Sequence, residues 1–262
     1  MSQSLVESNA APPLGGASSG VALEGVVRVL GGTRVLDGLD LHVAARGRLG
    51  IVGRSGAGKS TLLSIVAGLD EPDEGRVAVA GETAARERLA RCALMPQRDC
   101  LLPWRTALDN AAVALENTGL PRREARRRAA PLFERLGLSG AELLRPAKLS
   151  GGMRQRVAFL RTLLAAKPVL LLDEPFGALD AITRAELQEW LAGALATEPR
   201  TVLLVSHDVE EALLLCERLL VLADGRVAAE LDVDVPRTAP RREVVTSPAF
   251  VELRERALEA IG

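Results

Sequence analysis

Apolar and polar positions along the chain follow two periods that alternate in blocks. Residues 21–29 read as a strand and residues 34–43 alternate apolar with polar, the period of a half-buried strand, with Gly31-Gly32 as the turn between them. Within 34–43 the pattern reads as two short antiparallel strands. Residues 49–52, 169–172 and 201–205 are solid apolar runs instead, as in strands covered on both faces. Shorter strands are expected at 76–80 and 93–95, and a hairpin at 219–222 and 227–231 around Ala223-Asp224-Gly225-Arg226. Helical spacing fills the intervals. Thr106 can cap a helix running to about residue 117, with Asp109 at its third position. Pro121 suits the start of the next helix, and Pro131 should interrupt it. Ser150 and Asp208 are N-cap residue types, and further helices are expected over 181–195 and after Ser247. Strands alternating with helices predict an α/β fold with a mostly parallel sheet core, an antiparallel β subdomain and an inserted helical subdomain at about 98–165.

Composition narrows the class. At 262 residues and 48% hydrophobic, the chain can bury one substantial core. Its apolar runs fall short of the roughly 20 residues of a membrane span. The first 20 residues are small, polar and Pro/Gly-rich, which predicts a disordered tail rather than a signal peptide. Residues 21–235 form the expected core unit, and 236–262 a C-terminal extension with a helix. The net charge of −1 disfavours nucleic-acid binding. Arginines cluster at 122, 123 and 126–128, which suits a solvated helix face balanced by Glu124 and Glu134, or a patch for nucleic acid or anionic lipid. Cys92, Cys100 and Cys216 have no metal-ligand spacing.

Chemistry enters at residues 53–61, Gly-Arg-Ser-Gly-Ala-Gly-Lys-Ser-Thr, between an apolar strand and a helical pattern. That context makes it a phosphate-binding P-loop. Gly53, Gly56 and Gly58 let the backbone curl so that its N–H groups, with those of Ser55 and Ala57, face phosphate oxygens. The helix opening at Lys59 adds its N-terminal N–H groups, at Ser60 and Thr61 among others. Lys59 supplies a mobile charge to the β- and γ-phosphates, and the Ser60 hydroxyl can ligate Mg²⁺. Asp173 ends an apolar strand, the position from which a carboxylate holds Mg²⁺. Glu174 can orient and deprotonate the attacking water. His207 follows another buried strand and can hydrogen-bond a γ-phosphate. The Gln97 side-chain oxygen can reach both metal and water, and its place at the sheet-to-helix junction would couple that contact to the helical subdomain.

With Leu149-Ser150-Gly151-Gly152-Met153-Arg154-Gln155 and Gly177-Ala178-Leu179-Asp180 in this order, residues 21–235 resemble ABC-type ATPase subunits, P-loop NTPases that bind ATP and Mg²⁺. The resemblance implies a head-to-tail dimer with a second copy. Ser150, Gly151, Gly152 and Gln155 of each chain would then face the nucleotide on the other, and Asp180 would lie in the D-loop. Residues 97–106, Asn110 and the 154–190 run are similar to importer ATPases for nitrate, sulfonates, taurine and thiamin-precursor pyrimidines. That implies a peripheral protein at the cytoplasmic face of the cell membrane, partnered by permease subunits and, indirectly, a solute-binding protein. Leu101, Leu102 and Trp104 would offer the permease an apolar surface, or else belong to the helical core. Leu30 stands where the family usually stacks an aromatic on adenine. A soluble ABC ATPase acting on nucleic acid or ribosomes is the alternative, but the paired cassettes, long insertions or zinc motifs of that class are missing.

Overall fold

The computed structural model describes residues 19–236 and 241–262. The expected tail therefore lies outside the described residues, except that Ser19 and Gly20 already belong to the first strand. Strand β1 (Ser19–Leu30) turns at Gly31-Gly32 into β2 (Thr33–Ala44), and the two pair antiparallel from Ser19↔Ala44 to Leu30↔Thr33. The expected division of 34–43 into two strands is not seen. Register shifts absorb Gly38, whose φ of 68° would otherwise end the strand, and β2 runs through as one element.

Strand β3 (Arg48–Val52) leads through the glycine loop into α1 (Lys59–Val66), and β4 (Glu74–Val79) returns to pair antiparallel with β1. Helix α2 (Ala85–Arg91), absent from the sequence reading, precedes β5 (Cys92–Met95). Four helices follow: α3 (Ala107–Glu116), α4 (Arg122–Ala129), α5 (Pro131–Arg135) and α6 (Gly151–Leu164). Pro131 separates α4 from α5, as a ring without an N–H should. Then come β6 (Val169–Asp173), α7 (Ala181–Thr197), β7 (Thr201–Val205), α8 (Val209–Leu215), β8 (Arg218–Ala223) and β9 (Arg226–Asp232). Helices α9 (Arg241–Val245) and α10 (Pro248–Ile261) close the described chain.

The second sheet has the order β5-β6-β7-β3-β8-β9, parallel except for β9. The three-stranded antiparallel sheet, β2-β1-β4, packs with α1 against it: Val21, Leu36, Leu62, Ile65 and Ile51 share one core. A second core gathers Phe133, Phe159 and Phe176 beneath the inserted helices. A third joins Phe250 and Leu253 of α10 to Val209 and Leu213 of α8. This layering leaves the carboxyl ends of β3, β6 and β7 open on one edge. All three of their following loops carry predicted site residues.

Candidate active site

A cleft of about 690 Å³ opens at that edge, lined by the glycine loop, Gln97, Asp173, Glu174 and His207. The loop's shape depends on residues without a Cβ. At Gly58 (φ 98°) an added Cβ would stand 2.6 Å from the Val35 carbonyl oxygen, and at Gly53 it would stand 2.1 Å from that of Leu222. No side chain caps α1, so its first N–H groups are available to an anion. Lys59 Nζ folds back over the loop, donating to the Gly53 and Arg54 carbonyls at 2.7 and 2.9 Å. Burial lowers its pKa, opposed by the nearby carboxylates of Glu174 and Asp173.

Asp173 ends β6 and is 6% exposed. Burial pushes its carboxyl pKa up, and the hydrogen bond from the Ser60 hydroxyl and the Lys59 charge pull it back. Ser60 and Asp173 therefore meet, as the motif spacing anticipates. Glu174 adopts φ 51°, a left-handed conformation that costs a side-chain-bearing residue about 1 kcal/mol. Its N–H donates to Val205 at 2.9 Å, and Gln155 Nε2 donates to the Glu174 and Pro175 carbonyls at 3.3 and 3.2 Å. So held, Glu174 Oε2 lies 2.6 Å from His207 Nδ1. His207 is otherwise exposed, its side chain 70% accessible.

Gln97 follows β5 and is exposed at the cleft. The loop after it is tied to the helical layer: Arg161 of α6 donates to the Cys100 and Asp99 carbonyls at 2.8 Å, and Arg154 to the Asp99 carboxylate at 3.0 Å. Buried Asn110 bonds both the N–H and the carbonyl of Leu102, at 2.7 and 3.1 Å. That loop carries Leu101 inward, 9% exposed, and Trp104 outward, 69% exposed. The core alternative for Trp104 is thereby excluded, whereas Leu101 is core.

Of the predicted residues, Ser55, Gly56, Gly58, Lys59, Ser60, Thr61, Gln97, Gln155, Asp173, Glu174 and His207 line one cleft. Gly53 and Ala57 shape the loop from behind. Leu30 does not line the cleft: it is exposed at the end of β1, and the apolar residue of this hairpin that does line it is Val35 of β2. Ser150, Gly151, Gly152 and Asp180 also lie outside the cleft lining. Ser150 caps α6, accepting from Met153 at 3.2 Å, and Asp180 caps α7, accepting from Thr183 at 3.0 Å. Gln155 turns inward, its amide spent on its own chain's Glu174 loop. Sequence reasoning missed Val35 and the cleft-facing side of Gly177 and Ala178, whose placement depends on packing rather than on local spacing.

The ABC transporter family profile matches residues 36–177. An aliphatic sulfonates import ATP-binding protein from Rhodococcus jostii is 47% identical, over 85% of this chain and 86% of its own. A formylaminopyrimidine import ATP-binding protein from Halalkalibacterium halodurans is 41% identical, over 81% of this chain and 82% of its own. Among solved structures, an ATP-binding cassette captured as a dimer after hydrolysis, bound to ADP and Pi, superposes with a TM-score of 0.76. That cassette is 30% identical, with 81% of this chain and 98% of that one covered.

Proposed function

Because the chain belongs to the ABC transporter family of ATP-binding subunits, we propose that the cleft is its ATP site and that Glu174 is the base of hydrolysis. The chain is an ATPase that powers import of a small solute. The observation that carries the site reading is the meeting of Glu174 with His207 at 2.6 Å beside Lys59 and Asp173. The P-loop N–H groups and Lys59 would bind the phosphates. Glu174 would take the proton of the attacking water, a role worth roughly 10²–10⁴ in rate. His207, with both ring nitrogens protonated, would hold that carboxylate through Nδ1–H and donate its other ring N–H to the γ-phosphate.

The donor set of Ser60 hydroxyl, Asp173 carboxylate and Gln97 side-chain carbonyl is all hard oxygen, which suits Mg²⁺. Asp173 is buried and burial raises its carboxyl pKa, so a cation held beside it would favour the charged form. Bound there, Mg²⁺ would neutralise charge on the β- and γ-phosphate oxygens. Two copies would pair head to tail, with Ser150, Gly151 and Gly152 of one facing the nucleotide of the other. Ser150 suits this: its oxygen accepts from Met153, leaving the hydroxyl proton to donate.

No helix among the described residues is long and apolar enough to cross a membrane. The chain would dock on permease subunits at the cytoplasmic face of the inner membrane, and through them serve an extracytoplasmic solute-binding protein. Trp104, together with Leu143 at 71% and Leu144 at 37% exposure, forms the proposed permease contact. The Leu144 carbonyl accepts from Ala107 at 2.7 Å, which brings its segment beside the Trp104 loop. For the solute we favour an aliphatic sulfonate, since the sulfonate importer subunit shares 47% identity and the pyrimidine one 41%. The test is growth on an aliphatic sulfonate as sole sulfur source after deletion of this chain. Growth should be lost, restored by the wild type and not by Glu174→Gln. Undiminished growth there, with uptake of a formylaminopyrimidine abolished, would transfer the assignment to the pyrimidine class.

A further inference from the structure

Behind His207 lies a set of polar side chains that no step above uses. Ser206, Glu211 and Gln188 are 0%, 4% and 2% exposed, and they come from three separate parts of the fold: the end of β7, α8 and α7. Ser206 Oγ donates to Glu211 Oε2 and accepts the Asp208 N–H at 3.0 Å. Gln188 Nε2 donates to Glu211 Oε1 at 3.0 Å, and Gln188 Oε1 accepts from Arg241 of α9. His207 sits between the two residues so held, because Asp208 is itself fixed as the cap of α8.

A carboxyl group in this position is costly, and packing alone would be served by an apolar side chain like its buried neighbours Ala212 and Leu213. The Gln188 amide can face Glu211 with its N–H₂ only while its oxygen is directed elsewhere, and Arg241 supplies that direction. Without the guanidinium the amide is free to turn its oxygen toward the carboxyl group, which would loosen Glu211 and with it Ser206. Besides this contact with α7, the extension grips α8 directly: Arg254 pairs with Glu210 at 2.9 Å, and Phe250 is fully buried beside Val209.

We propose that Glu211 is a positioning residue for His207, and that the Arg241–Gln188–Glu211–Ser206 chain gives the C-terminal helices control over ATP hydrolysis. The second half rests on His207 acting at the nucleotide, as read above. The chain holds two histidines, His42 and His207, so ¹⁵N imidazole spectra report His207 with His42 as an internal control. In Arg241→Ala and in Glu211→Gln the His207 signals should move while those of His42 stay. For both, kcat should fall about five-fold or more with KM nearly unchanged, the signature of an interaction made in the transition state. Arg241→Lys, which still donates to Gln188, should restore much of the rate. Arg241→Ala should melt within about 2 °C of wild type, which separates positioning from unfolding. Wild-type kcat and unmoved His207 signals in a folded Arg241→Ala protein would overturn the proposal. If His207→Ala itself hydrolyses ATP normally, the nucleotide role of His207 fails. In that case moved His207 signals in Arg241→Ala still establish the positioning chain, and unmoved ones reject it.

Discussion

Glu174 carries a cost that packing alone does not explain: a side-chain-bearing residue in the left-handed region, held there by Val205 and Gln155 and aimed at His207. Replacing its carboxylate with an amide keeps size and backbone but removes the proposed base. Glu174→Gln should therefore bind ATP as wild type does while phosphate release falls roughly 10²–10⁴-fold; turnover near the wild-type rate would mean that another group takes the proton. Glu211 predicts a different observable. Burial pushes its carboxyl up from 4.5 to about 7, aided by Asp208 and Glu174 and opposed by the hydrogen bonds from Ser206 and Gln188. Between those values the unfolded chain releases a proton that the folded one keeps. Glu211 thus makes stability fall as pH rises from about 4.5 to about 7, by on the order of 3 kcal/mol or less. Denaturant melts across that window should show a shallower slope for Glu211→Gln, and an identical slope would remove Glu211 as the titrating group. Legibility differs between these two residues for a physical reason. Lys59, Ser60, Asp173 and Glu174 sit at spacings that only phosphate chemistry needs, whereas Glu211 acquires its character from Gln188 and Arg241, 23 and 53 residues from their respective partners.

At the scale of elements, caps and breakers were the readable features. Thr106, Ser150, Asp208 and Ser247 each accept from the first turn of the helix they precede. Helix α2 was unreadable because its buried face consists of Arg88 alone, paired with Glu71 at 2.9 Å, so no apolar period marks it. Four of the five clustered arginines of α4 are paired: Arg122 and Arg126 reach Asp109, and Arg127 and Arg128 reach Glu124. The loop from Gln97 to Trp104 is the element with the most function to test. It starts at the cleft, is pinned by Arg161 and Asn110, and ends in an exposed indole. Trp104→Ala should leave the melting temperature and basal ATPase of the isolated chain near wild type, since surface changes stay within about 0.5 kcal/mol. In the assembled transporter it should lower uptake per ATP hydrolysed, because interface tryptophans often contribute 2 kcal/mol or more. Undiminished uptake per ATP would move the permease contact away from this loop. Phe159→Ala is the contrasting control: fully buried against Phe176 and Trp190, it should cost roughly 3–5 kcal/mol of stability.

At the scale of the whole molecule, one cleft holds the glycine loop and Glu174, but the helix N-terminus at Ser150 is not part of its lining. Ser150 is exposed, and the N–H groups of Gly151 and Gly152 begin α6 with no partner within the helix. If that helix start binds the partner's nucleotide, as proposed, it is a half-site, and a two-fold dimer would complete two such halves at once. This arrangement makes a forecast that a self-sufficient chain cannot meet. Glu174→Gln removes the base from a chain's own cleft, while Ser150→Arg blocks the surface it would offer to its partner. Each variant alone should be nearly inactive, because both sites of its homodimer carry the defect. In a mixed dimer the two defects fall in the same composite site, which leaves the other site intact. Random exchange of equal amounts makes half the dimers mixed, so activity should recover to about a quarter of the wild-type rate if the sites act independently. The measurement is phosphate release from the mixture against each variant at the same total concentration. Loss of the Ser150 cap costs about 1 kcal/mol, so circular dichroism should find the variant folded. A mixture no faster than the mean of its components would place the whole reaction within one chain.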